Sequence, residues 1–171
     1  PCGSCPRQGG EATANDIVVD SQGNVYLCGG IPNDSWITFP GVSTSYGFPS
    51  LGGAYLVKLN SSGALDTAFQ PALSSAAAVY VIERQIDGKI LIGGDFEYVN
   101  GQQRSGIARL HSDGSLDTSF KIGTGFYGDV YAIREMPNGT IVIGGLFCGG
   151  PDFQAYSLAR INQNGSFANS F

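Results

Sequence analysis

The single histidine, His111, is where a charge-relay mechanism would have to be built, because any Ser-His-Asp or Cys-His arrangement needs an imidazole. It stands in line with Asn60 and Asn162 at the start of a hairpin turn, and nothing in the sequence places a nucleophile beside it. It reads as a solvated turn residue. "CGSC" at 2–5 has the spacing of a redox pair or half a zinc site. A redox pair of that kind sits at a helix N-terminus in an α/β context, which is absent here. A zinc site needs a second pair, and Cys28 and Cys148 are 120 residues apart. Cys2, Cys5, Cys28 and Cys148, an even number in a small chain, read instead as structural disulfides. A bridge needs Cα atoms within about 7 Å. Cys28 and Cys148 fall in units far apart along the chain, so Cys28 is expected to pair with Cys2 or Cys5. Cys148 then meets the other N-terminal cysteine, in the same chain or a neighbour; a simple Cys2–Cys5 bridge is the open alternative. "DSQGN" at 20–24 is too short a match to a calcium loop, and the "GG" pairs lack the strand-to-helix setting of a phosphate loop. Neither catalytic residues nor a cofactor nor a metal is expected.

Other residues point to modification or contact. Four N-x-S/T sequons occur at Asn33, Asn60, Asn138 and Asn164, where nine asparagines would give one or two by chance. Asn138-Gly139 and Asn164-Gly165 are also hairpin-turn dipeptides, so Asn33 and Asn60 are the sites least explained by turn chemistry. The stretch 32–50 holds the single tryptophan, Trp36, with Phe39, Tyr46 and Phe48 among Pro, Ser and Gly. Such aromatics could stack on sugars, pack against a partner subunit, or cover the protein's own edge.

The elements that must position these residues come from a repeat. Gly63, Gly114 and Gly165 are spaced by 51 residues, as are Phe69, Phe120 and Phe171 and the basic series Lys58, Arg109 and Arg160. "DGKILIGG" at 87–94 and "NGTIVIGG" at 138–145 keep the same step, whereas "QGNVYLCGG" at 22–30 is displaced by an insertion over 31–54. Asp66 and Asp117 recur with the unit, as its framework would. Each unit divides into four short strands joined by Asp-Gly or Asn-Gly turns, with β-branched and aromatic residues in the strands. No segment has an apolar period of 3.6, so no significant helix is expected. Four antiparallel strands in 40–50 residues is the pattern of a propeller blade. The division is a tail over 1–16, blade 1 over 17–69, blade 2 over 70–120 and blade 3 over 121–171. Ile90, Ile92, Ile141 and Ile143 are expected between blades.

"IGGDFEYVNGQQRSGIARLHSDGSLDTSF" resembles the delta-60 repeat, a propeller repeat of bacterial exported and surface proteins. "GG-x-F", "ARL", "DG" and "LDTSF" carry the resemblance in copy two. Copy three keeps "GG-x-F", "AR" and the last Phe but loses the Asp, and copy one departs most. The resemblance implies an all-β propeller fold and export, with no common activity to transfer.

The totals agree. The 171 residues suffice for one cored domain, and 26 Gly with 10 Phe, 8 Tyr and 13% charged residues suit a β-protein. Nine Lys and Arg scattered along a chain of net charge −5 make no nucleic-acid surface, and no stretch approaches the ~20 apolar residues of a membrane span. A start at Pro1 suits a processed, exported protein as well as a trimmed chain. The expected place is extracellular or cell-surface. The "LDTSF" phrase closes each unit and in a propeller commonly crosses to complete the next blade. Copy three has no next blade here and copy one has no phrase before it. Three blades are too few for a closed ring, which needs about four. The expected partner is therefore a second copy, with Ser166, Phe167 and Phe171 donated as a strand to a head-to-tail fibre, or to a six-bladed ring of two chains. The alternative is a propeller module binding a glycan or protein ligand.

Overall fold

The computed structural model describes residues 12–32, 36–37, 46–47, 53–74, 77–123, 127–149 and 154–168. Among them all regular structure is strand and turn. The strands are β1 (Thr13–Val19), β2 (Val25–Ile31), β3 (Trp36–Ile37), β4 (Tyr46–Gly47), β5 (Gly53–Leu59), β6 (Val79–Arg84), β7 (Ile90–Gly94), β8 (Tyr98–Val99), β9 (Gln102–Gln103), β10 (Ile107–Leu110), β11 (Tyr127–Glu135), β12 (Ile141–Gly149) and β13 (Gln154–Ile161). They form three antiparallel sheets in the orders β1-β2-β5, β6-β7-β10 and β11-β12-β13, with two small ladders, β3-β4 and β8-β9. The first strand begins at Thr13, inside the stretch read from the sequence as a tail.

Two glycine turns shape each unit. Gly63, Gly114 and Gly165 take φ of 84°, 87° and 90°, which an L side chain rarely adopts. The residue before the glycine locks the second and third turns, Asp113 Oδ1 accepting from Ser115 N at 2.9 Å and Asn164 Oδ1 from Ser166 N at 3.0 Å; in the first, Asn60, which opens the turn, accepts through Oδ1 from Ser62 N at 3.0 Å.

The fourth strand of each unit contracts to one bridge: Leu59↔Leu65, Leu110↔Leu116 and Ile161↔Phe167. In the first two units Asp66 Oδ1 accepts from Ala68 N and Asp117 Oδ1 from Ser119 N, and these turns curl the phrase away from the ladder; the third unit has Ala168 in that place and makes the same single bridge. The crossing to the next unit is made by the residues that follow. Ala72 O accepts from Asn100 N at 2.7 Å, Ser74 N donates to Tyr98 O, and Leu73 bridges Val99, so 72–74 lies along the β8-β9 ladder of the second unit.

The sheets stack in chain order. One core lies between the first and second sheets, around Tyr26, Cys28, Leu56, Ile82, Ile90 and Ile92. Another lies between the second and third, around Leu91, Ile107, Ile133, Ile141 and Ile143. The four isoleucines expected between blades are all fully buried. β-branched residues fill these strands because a pleated surface packed on both faces suits their stiff side chains.

Gly93 measures how closely the sheets approach. A Cβ there would lie 2.7 Å from Val130 Cγ1 of the third sheet and 2.7 Å from Val81 Cγ1; at Gly144 the nearest atom, Ala132 Cβ, is 3.5 Å away. Gly93→Ala is expected to cost about 1–3 kcal/mol through overpacking, and Gly144→Ala to change stability by less than about 0.5 kcal/mol. Urea unfolding of the two variants checks the contrast.

Candidate functional site

The residues that could do chemistry are spread through the structure. His111 is exposed in its turn, its N donating to Ser115 O at 2.8 Å. The Cys28 thiol is fully buried and points at Asp16 O at 3.6 Å. Burial, aided by the Asp16 charge, pushes its pKa up to about 12, which disfavours the thiolate at neutral pH. Cys28 and Cys148 are both free thiols and are not joined to each other; Cys28 is a core residue. Cys2 and Cys5 lie outside the described residues. No group of three or more His, Cys, Asp or Glu that could hold a metal occurs among the described residues. Trp36 and Tyr46 sit in the β3-β4 ladder, paired with Gly47 and Ile37; Phe39, Phe48 and Asn33 are outside the described residues. Asn60, Asn138 and Asn164 are exposed, each with its Oδ1 accepting from the hydroxyl of its own sequon, Ser62, Thr140 or Ser166.

What the repeats bring together is the joint between sheets. In the second joint Arg109, from β10, donates Nε to Asp117 Oδ2 at 2.9 Å and Nη1 to the main-chain O of Gln163, in the third unit's turn, at 2.6 Å. Its guanidinium lies 4.9 Å from the centre of the Phe120 ring. Burial works to raise the Asp117 carboxyl, but hydrogen bonds from Ser119 Oγ and N and the Arg109 charge outweigh it and hold the group well below the usual carboxylate range. Gln85, fully buried, donates to Glu135 and Gln163 across the same joint. In the first joint Lys58 takes the arginine's place, 3.0 Å from Asp66 Oδ2, and Asp16 Oδ2 accepts from Ile82 N.

The closing phrase latches each joint. Phe69 and Pro71 lie against Gly114, with 3.2 and 3.3 Å to a Cβ built there. One unit on, Lys121 lies against Gly165 and donates its N to Asn164 O at 2.8 Å. Gly114 and Gly165 are buried as a result.

Residues 85–120 and 137–171 match the family described as "Domain of unknown function (DUF5122) beta-propeller". The match, to a family of β-propeller repeats, takes in 71 of the 171 residues and agrees with the three stacked antiparallel sheets. The matched stretches run in units two and three from just before or at the hairpin turn to the closing phenylalanine, and the match carries that description rather than the delta-60 name. No curated protein and no solved structure matches the chain.

The first and third repeats each leave part of one face exposed, although Ile31, Tyr55 and Val57 on the first repeat's face are buried. Ile17 occupies the position of Ile82 and Ile133; those two are 2% and 5% exposed, whereas Ile17 is 57% exposed, with Val19 beside it at 59%. The Gly63 turn, equivalent to Gly114 and Gly165, is exposed and has nothing within 4 Å of a built Cβ. At the other end Leu158 is 52% exposed, where its equivalents Ile107 and Leu56 are buried. Ser166 and Phe167 are engaged within their own repeat, Ser166 N on Asn164 Oδ1 and Phe167 on Ile161 and the second core; Phe171 lies outside the described residues.

The spacing exposed Arg109 and Asp117 through their recurrence, but not Gln85, Glu135 and Gln163. Their counterparts one unit away, such as Met136 for Gln85 and Ser112 for Gln163, carry no signal. Asp117→Ala leaves Arg109 buried without its partner and is expected to cost about 3–5 kcal/mol; Asp66→Ala, at a partly exposed pair, costs about 1 kcal/mol or less. Because the folded Asp117 pKa is depressed, its contribution is complete above the ordinary carboxylate value near ~4 and is lost as pH falls below it. Unfolding midpoints of wild type and Asp117→Ala between pH 7 and pH 2.5 should converge.

Proposed function

We propose that the chain is a non-enzymatic structural subunit of an extracellular, glycosylated filament, assembled head-to-tail from copies of itself. One observation carries the reading: on the face that a preceding sheet covers in repeats two and three, the outer strand of repeat one exposes Ile17 and Val19, beside a buried patch of Ile31, Tyr55 and Val57. An apolar sheet face left in water is an association site, and a contact between two different faces of the same molecule runs on as a fibre or closes as a ring. The docking element differs from a donated strand. Residues 164–168 already belong to the third repeat, so covering the exposed strand with another sheet is the simpler completion. Glycans are compatible with such stacking: His111 and Asn162, the equivalents of Asn60, stay exposed in the closed joints.

The second reading, a propeller module that binds a ligand or protein partner, has its own support. A cleft of about 330 Å³ is lined by Ile31, Tyr55, Val57, Phe69, Pro71 and Leu73, where the 31–54 insertion leaves and rejoins the first sheet. Its apolar walls suit a hydrophobic side chain better than a sugar.

Light scattering over a concentration series separates the two. The head-to-tail reading expects mass to rise with concentration, and Ile17→Asp, at an exposed site where the fold tolerates charge, to hold the protein as a monomer with an unchanged circular dichroism spectrum. A wild-type chain that stays monomeric at every concentration contradicts it.

A further inference from the structure

Three Asn-Gly pairs occur in the chain, at 100–101, 138–139 and 164–165. Asparagine is thermolabile, most of all before glycine, where no Cβ keeps the next main-chain N away from the side-chain carbonyl carbon. Loss of the amide needs that N to swing onto Cγ, so whatever fixes the side chain or the peptide unit between the two residues opposes it. The fold fixes the three pairs to different degrees.

At Asn100 the side chain is held at both of its polar atoms. Oδ1 accepts from Ala72 N at 2.7 Å, and Nδ2 donates to Gly114 O at 3.2 Å. At Asn164 the peptide unit is held on both sides. Asn164 O accepts from Lys121 N at 2.8 Å, Gly165 N donates to Asn162 O at 2.9 Å, and a Cβ built on Gly165 would lie 2.6 Å from Lys121 C. At Asn138 neither clamp is present. Gly139 N donates to Met136 O at 2.8 Å, but among the described residues none donates to Asn138 O. The nearest atom to a Cβ built on Gly139 is Gln163 Nε2, at 3.6 Å. The Asn138 side chain is exposed and bonded within its own turn, Oδ1 accepting from Thr140 N at 3.1 Å and from Thr140 Oγ1 at 2.7 Å. Those donors face the oxygen on which charge gathers during attack. Asn164 has the same pair in Ser166, so the main-chain clamp is what separates the two sites.

We infer that Asn138 is the site at which the folded protein deamidates, while the fold protects Asn100 and Asn164. Gly139 N, losing its proton to hydroxide, bonds to Asn138 Cγ; the Cγ–Nδ2 bond breaks, and ammonia leaves with a proton taken from water. A second water opens the five-membered imide, at Cγ to give aspartate or at the main-chain carbonyl carbon to give isoaspartate. In sum one water is consumed and one ammonia released, with no change of oxidation state. Aspartate is a residue that this turn accepts: Asp87 holds the equivalent place in the second repeat, its Oδ1 accepting from Lys89 N at 3.0 Å. A glycan on Nδ2 would remove the leaving group, so glycosylation and deamidation exclude each other at Asn138. The inference does not depend on how copies assemble.

The test is peptide mapping of the full chain, made without N-glycosylation and kept folded at mildly alkaline pH, beside the same chain unfolded in urea. Mass spectrometry reads the acid formed at each of the three sites over time. In the folded protein Asn138 should convert about tenfold faster than Asn100 and Asn164, the factor that one more hydrogen bond contributes against local opening. In urea the three should convert at similar rates, because only the fold separates them. Equal rates at the three sites in the folded protein, or faster loss at Asn100 or Asn164, would overturn the inference. So would a folded-state order that persists unchanged in urea, since the flanking sequence would then be its cause.

Discussion

Each sheet in this protein is apolar on both faces, and a three-stranded sheet cannot bury two faces by itself. The rest of the structure follows from that constraint. Sheet one covers the leading face of sheet two, sheet two covers that of sheet three, and each joint needs polar groups at its rim to fix how the sheets meet. In the second joint those groups converge on Arg109, which holds its own repeat through Asp117 and the next repeat through Gln163. A side chain bonded on both sides of a boundary makes two repeats one cooperative unit. The partly exposed Lys58–Asp66 pair stays within the first repeat, and the first joint is crossed instead by Asp16, which accepts from Ile82 N.

The same constraint explains where the reactive-looking residues went. Cys28 fills the position that Gly93 and Gly144 hold in the other repeats, and burial there silences its thiol. Asp117 is spent on orienting Arg109. Recurrence at the spacing of the repeat is what chemistry used for packing looks like, since a catalytic constellation needs one site and not a series. The ends of the stack are where the series is interrupted, at Ile17 and the Gly63 turn on one side and at Leu158 on the other.

Much of the fold could be read directly, for physical reasons. Glycines at positive φ recur at fixed spacing because only glycine enters those turns cheaply. The isoleucines at 90, 92, 141 and 143 alternate because a strand does, and the burial of all four follows from packing on both sides. The fourth strand was misread because "LDTSF" has strand composition while its Asp competes for the backbone. Asp66 and Asp117 each capture the amide two residues on, and that local hydrogen bond outweighs β-propensity. That Cys28 sits in the core was not legible, because an even cysteine count says nothing about which face of a strand a cysteine occupies. The interface residues Gln85, Glu135 and Gln163 were not legible, since each matters through a partner in another repeat and none recurs.

The central proposal is that the exposed outer strand of the first repeat and the exposed face of the third are two halves of one joint between copies. Hydrogen–deuterium exchange at low and high protein concentration tests it most directly. The account predicts that amides of 17–27, of the 60–63 turn and of 154–160 gain protection together as concentration rises, while β6 to β10 stay as they were. Protection that does not change at both ends, or that rises at one end alone, would contradict it.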